Sequence, residues 1–67
     1  MPDFIREALS ARGLMDLYRA RPPHQQNDYI GWITRAKTDV TRRKRLNQML
    51  EELERGEVYM KMKWKQK

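Results

Sequence analysis

Two stretches carry side chains that could do chemistry. Arg42-Arg43-Lys44-Arg45 sets four cations in a row, close behind Tyr29, Ile30, Trp32 and Ile33, and the C-terminal EVYMKMKWKQK interleaves lysines with Met60, Met62 and Trp64. Guanidinium and ammonium groups at this density attract phosphate, carboxylate or anionic headgroups. Apolar groups set between cations are the pattern of segments that touch nucleic acid or anionic membrane. Side chains for bond-making are scarcer. His24 is the only histidine, and it stands at a proline-marked helix start with no second ligand or nucleophile beside it, which fits a capping or solvated role. No glycine-rich phosphate loop, paired-carboxylate cleft or triad set is present. With no cysteine, neither a disulfide nor a cysteine-based zinc site can form. The expectation is a protein that is not an enzyme and takes no cofactor or metal.

The chain has 67 residues, with 15 basic and 9 acidic side chains and a formal charge of +6. That length allows one domain, burying only about 60% of its unfolded surface, so the core is small. The charge favours acidic partners: nucleic acid, anionic lipid or an acidic protein. No apolar run approaches the ~18 residues of a membrane span. The start, MPDFIREALS, has early acids and no unbroken apolar core, unlike a signal peptide. The expected location is the cytoplasm.

Helical spacing organises the rest. Asp3 is placed to cap a first helix, in which Phe4, Ile5, Ala8 and Leu9 recur at three to four residues, and Gly13 suits its end. Leu14, Leu17 and Tyr18 mark a short second helix, LMDLYRA, which needs tertiary support. Arg21-Pro22-Pro23 breaks it, and a third helix starts near Pro23 and runs to about Lys37. Its stripe is Tyr29, Trp32, Ile33 and Ala36. Gly31 lies opposite, at a cost of about 1 kcal/mol relative to alanine. Thr38 caps a fourth helix with Asp39 in its first turn and Leu46, Met49, Leu50 and Leu53 as its stripe; Arg55 and Gly56 close it. The predicted fold is all-α, a bundle of three to four helices over residues 1–57, with the third and fourth as its central hairpin. The predicted core is Phe4, Ile5, Leu9, Leu17, Tyr18, Tyr29, Trp32, Ile33, Leu46, Met49, Leu50 and Leu53. Residues 58–67 form an extended basic tail: Val58, Met60, Met62 and Trp64 alternate with Tyr59, Lys61, Lys63 and Lys65 at period two. The tail has no strand partner elsewhere in the chain. It could lie along the bundle, pair with another copy or stay mobile.

A helical wheel decides how the basic run is spent. With Leu46 at zero, Leu50 falls at about 40°, Leu53 at about −20° and Met49 at about −60°. Arg42 falls at about −40°, within the apolar stripe, and Arg43 at about 60°, on its edge. Lys44 points away and Arg45 to one side. The four bases share no face, unlike the groove-facing residues of a DNA-reading helix. A guanidinium on the core side needs a partner, so Arg42 is expected to contact Asp28 or a backbone carbonyl where the third and fourth helices join. Arg35, Lys37, Arg43, Lys44 and Arg45, with Lys61, Lys63 and Trp64 of the tail, remain as a candidate basic binding surface. The plain alternative is a solvated face. A further cost is expected inside the fourth helix, where bases precede acids against the helix dipole.

Residues 28 to 56 resemble the YdeI/OmpD-associated family, also labelled bacteriocin-protection. The resemblance is carried by Asp28-Tyr29-Ile30, Trp32-Ile33, Ala36-Lys37, Thr41-Arg42, Lys44-Arg45-Leu46 and the ending Leu53 with Gly56. At the start, Phe4 and Ala8-Leu9 extend it to about residues 3–56. The chain departs at Pro22-Pro23-His24-Gln25-Gln26, where members usually carry Ser/Pro and basic residues. The resemblance implies an all-helical domain linked to protection against bacteriocins or envelope stress. It supplies no catalytic residue, and its Thr-Arg pair falls on Thr41 and Arg42. The leading functional reading is a non-enzymatic interaction module with an unidentified protein partner. The alternative is weak, sequence-tolerant nucleic-acid binding; attachment to an anionic membrane surface is a third reading, resting on the tail alone. The oligomeric state is open.

Overall fold

The computed structural model describes residues 1–56, 58–60 and 62–63, the last two by backbone alone. Four helices follow one another: α1 (Asp3–Ala11), α2 (Met15–Ala20), α3 (Pro23–Thr34) and α4 (Asp39–Arg55). The all-α bundle expected from the sequence is what the chain forms, with α3 and α4 packed as its main pair and α1 and α2 closing one side.

Each helix boundary has a local cause. The carbonyl of Pro2, in an extended conformation, accepts from the amides of Ile5 and Arg6. Asp3 is therefore not the cap. It is the first helical residue, where its charge suits the positive end of the helix and pairs with Arg6 at 2.9 Å. At the other end Gly13 takes φ +67. The Leu14 amide then reaches the Leu9 carbonyl at 2.8 Å, and the Gly13 amide reaches that of Ser10 at 3.2 Å. This is the Schellman arrangement, and its usual apolar contact is present because Leu9 and Leu14 share the core. The side-chain amide of Gln26 donates to the carbonyls of Arg19 and Arg21 at 3.2 and 2.7 Å, tying the end of α2 across the proline turn.

Pro23 opens α3 at a position where its missing N–H costs nothing. The helix ends at Thr34, three residues short of Lys37. The Thr34 hydroxyl bonds back to the Ile30 carbonyl at 2.8 Å, and the chain must straighten so that Thr38 is extended enough to cap α4. The Thr41 amide donates to the Thr38 hydroxyl at 3.2 Å, Asp39 occupies the first turn, and Gly56 closes the helix at φ +75, all as the sequence predicts.

The core gathers Ile5, Leu9, Leu14, Tyr18, Tyr29, Ile33, Met49, Leu50 and Leu53. Four expected members are not in it. Phe4 and Leu17 are 39% and 44% exposed, because the inward positions of α1 go to Ile5 and Leu9 and those of the short α2 turn to Leu14 and Tyr18. Trp32 and Leu46 are half-buried at its edge.

The tail finds its strand partner within itself. Val58–Tyr59 (β1) pairs antiparallel with Met62–Lys63 (β2), with Val58 opposite Lys63 and Tyr59 opposite Met62. Met60 makes the turn with φ +51, in the left-handed region that two-residue hairpin turns require. The hairpin packs on α4 through β1, and Tyr59 and Met60 cover the edge of the core.

Candidate binding surface

The expected surface divides into three groups. Arg35, Lys37, Arg43 and Lys44 are exposed around the α3–α4 connection. Arg35 lies back along α3, so that a methyl group built on Gly31 would stand 3.3 Å from its Nη2. Among the described residues the ion pairs are Arg6–Asp3, Arg12–Glu54 and Arg42–Asp39, which leaves these four cations without a carboxylate. Arg45 belongs elsewhere. Its Nη1 donates to the Trp32 carbonyl at 2.6 Å and its guanidinium lies 5.3 Å from the centre of the Trp32 ring, so it clamps α4 to the end of α3. Of the tail, Lys61 and Trp64 lie outside the described residues, and Lys63 is described only by its backbone pairing.

Arg42 and Asp28 are not partners. Arg42 is half-buried, as the wheel requires, but its Nη1 meets Asp39 Oδ1 at 2.9 Å, three residues back on the same helix, and its guanidinium lies 6.0 Å from the centre of the Phe4 ring. A local carboxylate satisfies the charge before a distant one is needed. Phe4, Asp39, Arg42, Arg43 and Leu46 thereby line a cleft of about 340 Å³ between α1 and the first turns of α4.

Asp28 accepts from the Tyr59 hydroxyl at 2.5 Å, joining α3 to the hairpin. This contact belongs to a polar cluster that periodicity did not reveal. Arg21, Gln25 and Glu52 are all at most 4% exposed. Arg21 donates to Gln25 Oε1 at 3.2 Å and to the backbone carbonyl of Glu52 at 2.9 Å. The Glu52 carboxylate accepts from the Tyr29 hydroxyl, from Gln48 Nε2 at 2.9 Å and from the Met60 amide at 2.7 Å. No buried side-chain nitrogen or oxygen among the described residues lacks a partner. The Tyr29 and Tyr59 rings meet edge to face, 5.4 Å between centres, and His24 stands edge-on to Tyr59 at 6.5 Å rather than capping α3.

Burial pushes the Tyr29 hydroxyl well above its usual range, and donation to Glu52 pushes it further. Burial, then donation to Asp28, takes Tyr59 up to about 12. Both phenols serve as hydrogen-bond donors, Tyr29 joining α3 to α4 through Glu52 and Tyr59 joining the hairpin to α3 through Asp28. The only trace of the cluster in the sequence is Arg21 before Pro22-Pro23, with Glu52 beside Leu53 in α4.

Comparison with known families decides the lineage. Residues 1–56 match the family described as Bacteriocin-protection, YdeI or OmpD-Associated. The chain belongs to this family. No curated protein and no solved structure matches it. Its YdeI/OmpD-associated region thus takes in all four helices, while the hairpin lies beyond the matched residues. Two anchors reach back from the hairpin into that region: Tyr59 to Asp28 and Met60 to Glu52. Near the start of α3 both glutamines are in use, Gln25 on Arg21 and Gln26 on the end of α2. Among the described residues no helix of this family member is long and apolar enough to cross a membrane.

Proposed function

We propose that the chain is a small non-enzymatic binding module whose basic end, at the α3–α4 connection, holds a protein partner with an acidic surface. One observation carries this reading: Arg35, Lys37, Arg43 and Lys44 crowd one connection, exposed, with no carboxylate partner among the described residues. Cations spread around an end, rather than aligned on one helix face, suit a broad acidic protein surface better than a nucleic-acid groove, which demands alignment. Membership of a family labelled for bacteriocin protection and association with OmpD supports a protein partner in that setting.

The test combines charge reversal with titration. The chain and its Arg35→Glu, Lys37→Glu, Arg43→Glu, Lys44→Glu quadruple variant are presented to captured protein partners, duplex and single-stranded DNA, RNA and anionic vesicles, each at low and physiological salt. Retention of an acidic protein by the parent chain and its loss in the quadruple variant, with helical circular dichroism unchanged, is the expected result. Tight DNA or RNA binding that collapses with salt would replace this reading with nucleic-acid binding. Vesicle binding abolished by removing residues 60–67 would replace it with membrane attachment.

A further inference from the structure

We propose that the cleft between α1 and the first turns of α4 is a docking site for an acidic peptide segment that presents one aliphatic side chain. The inference rests on reading the chain as a protein-binding module and names the place and chemistry of the contact. Its floor is apolar. Phe4 shows 39% of its surface although the core next to it is closed, and Leu46 sits half-buried across the cleft. The exposed large hydrophobics among the described residues are Met1, Phe4, Leu17 and Val40. Of these, Phe4 lines the cleft, and with Leu46 it supplies the apolar surface there.

The rim selects the occupant. Arg42 is held over the Phe4 ring by Asp39, so its charge is met and its orientation fixed. Arg43, next to it, is exposed and without a carboxylate among the described residues. Its planar fork matches a carboxylate in two parallel hydrogen bonds. The volume of about 340 Å³ suits an aliphatic side chain and the backbone that carries it. A phosphate chain fits less well. Lys44, the next cation, is turned about 100° from Arg43 around the helix, so the two do not line up along a row of phosphates. A glutamate or aspartate beside a leucine-like residue satisfies both floor and rim.

The probe is a blocked peptide with one leucine flanked on both sides by glutamates, titrated into the isotope-labelled full chain while amide shifts are followed. Saturable shifts at Phe4, Asp39, Arg42, Arg43 and Leu46 are expected. Replacing the peptide's leucine by serine weakens binding about tenfold or more, since the buried side chain supplies most of the contact energy. Phe4→Ser and Arg43→Glu each weaken it by about the same factor, and Arg55→Glu, at the far end of α4, changes it little. Phe4 and Arg43 are exposed enough that either variant folds, and each reports independently. Equal affinity for the leucine and serine peptides, with shifts spread over Lys37 and Lys44, would overturn the cleft while leaving the basic module standing. Silence at millimolar peptide would do the same. Displacement of the peptide by a single-stranded oligonucleotide, in a strongly salt-dependent way, would overturn the cleft and the protein-partner reading together.

Discussion

Tyr59 shows how one side chain ties the tail to the helices and gives that tie a pH dependence. Its hydroxyl donates to Asp28, its ring meets Tyr29 edge-on, and its phenol is pushed up to about 12, first by burial and then by that donation. The group titrates near 10 in the unfolded chain. Between these two values the unfolded chain has lost the proton and the folded chain has kept it. The unfolded state then binds fewer protons, so stability falls as pH rises. The contribution is fully present below pH 10 and drains away through the folded value. Tyr29, raised for the same reasons with Glu52 as its acceptor, acts in the same direction. Tyr59→Phe should therefore flatten the decline of the urea midpoint across this alkaline window and leave its slope near neutrality unchanged. An identical alkaline slope in the variant would show that the phenol holds its proton no more tightly in the folded chain than in the unfolded one. Arg45 carries a lesson at the same scale. Its type and place in a basic run suggest a ligand contact, but a carbonyl and an indole ring from α3 have already claimed it.

At the scale of elements, two glycines separate propensity from conformation. Gly31 lies inside α3, where glycine costs about 1 kcal/mol relative to alanine. The nearest obstacle to a methyl there is the exposed end of Arg35, a flexible group that can move by a few tenths of an ångström. Gly31→Ala should therefore raise stability, by up to about 1 kcal/mol. Gly56, by contrast, sits at φ +75 with open space around it. Gly56→Ala meets no clash but must hold a left-handed backbone, which costs about 1–2 kcal/mol. Urea denaturation of the two variants should move their midpoints in opposite directions. Signals of this local kind made the helices legible: the proline pair, Thr38, Gly13 and Gly56 mark boundaries through backbone chemistry that acts within a few residues. The end of α3 was missed because Thr34 can either continue a helix or bond back into it, and the apolar pattern does not choose. The charge order of α4 is mixed at its ends: Asp39 in the first turn and Arg55 in the last have the sign the dipole favours, while Glu54, beside Arg55, opposes it and pairs instead with Arg12.

Across the whole molecule, what periodicity could not show is how the hairpin is held. Glu52, Arg21 and Gln25 have side chains that pattern-reading assigns to water, and their burial becomes intelligible only when residues 4 to 31 positions apart meet. The candidate cleft was hidden for a related reason. Phe4 reads as core until Ile5 and Leu9 are seen to fill the space, and Arg42 reads as a long-range partner until Asp39 takes it. The polar cluster makes a specific claim about cooperation. Removing residues 58–67 withdraws the Met60 amide from Glu52 and the Tyr59 hydroxyl from Asp28, leaving a buried carboxylate with fewer donors. That loss should cost about 1–3 kcal/mol while α1 to α4 keep their helical circular dichroism, since their own boundaries are set locally. In the full chain Glu52→Gln replaces a charged acceptor by a neutral amide against the donors Tyr29, Gln48 and Met60 among the described residues, and should cost a similar amount, about 1–3 kcal/mol. In the truncated chain the same substitution should cost distinctly less, because the Met60 donor is already gone and a neutral side chain tolerates its loss better than a carboxylate. The coupling in this double-mutant cycle should be about 0.5 kcal/mol or more, the size expected of groups in one network. Simple additivity of the two changes would mean that the hairpin rests on the bundle without being held by Glu52.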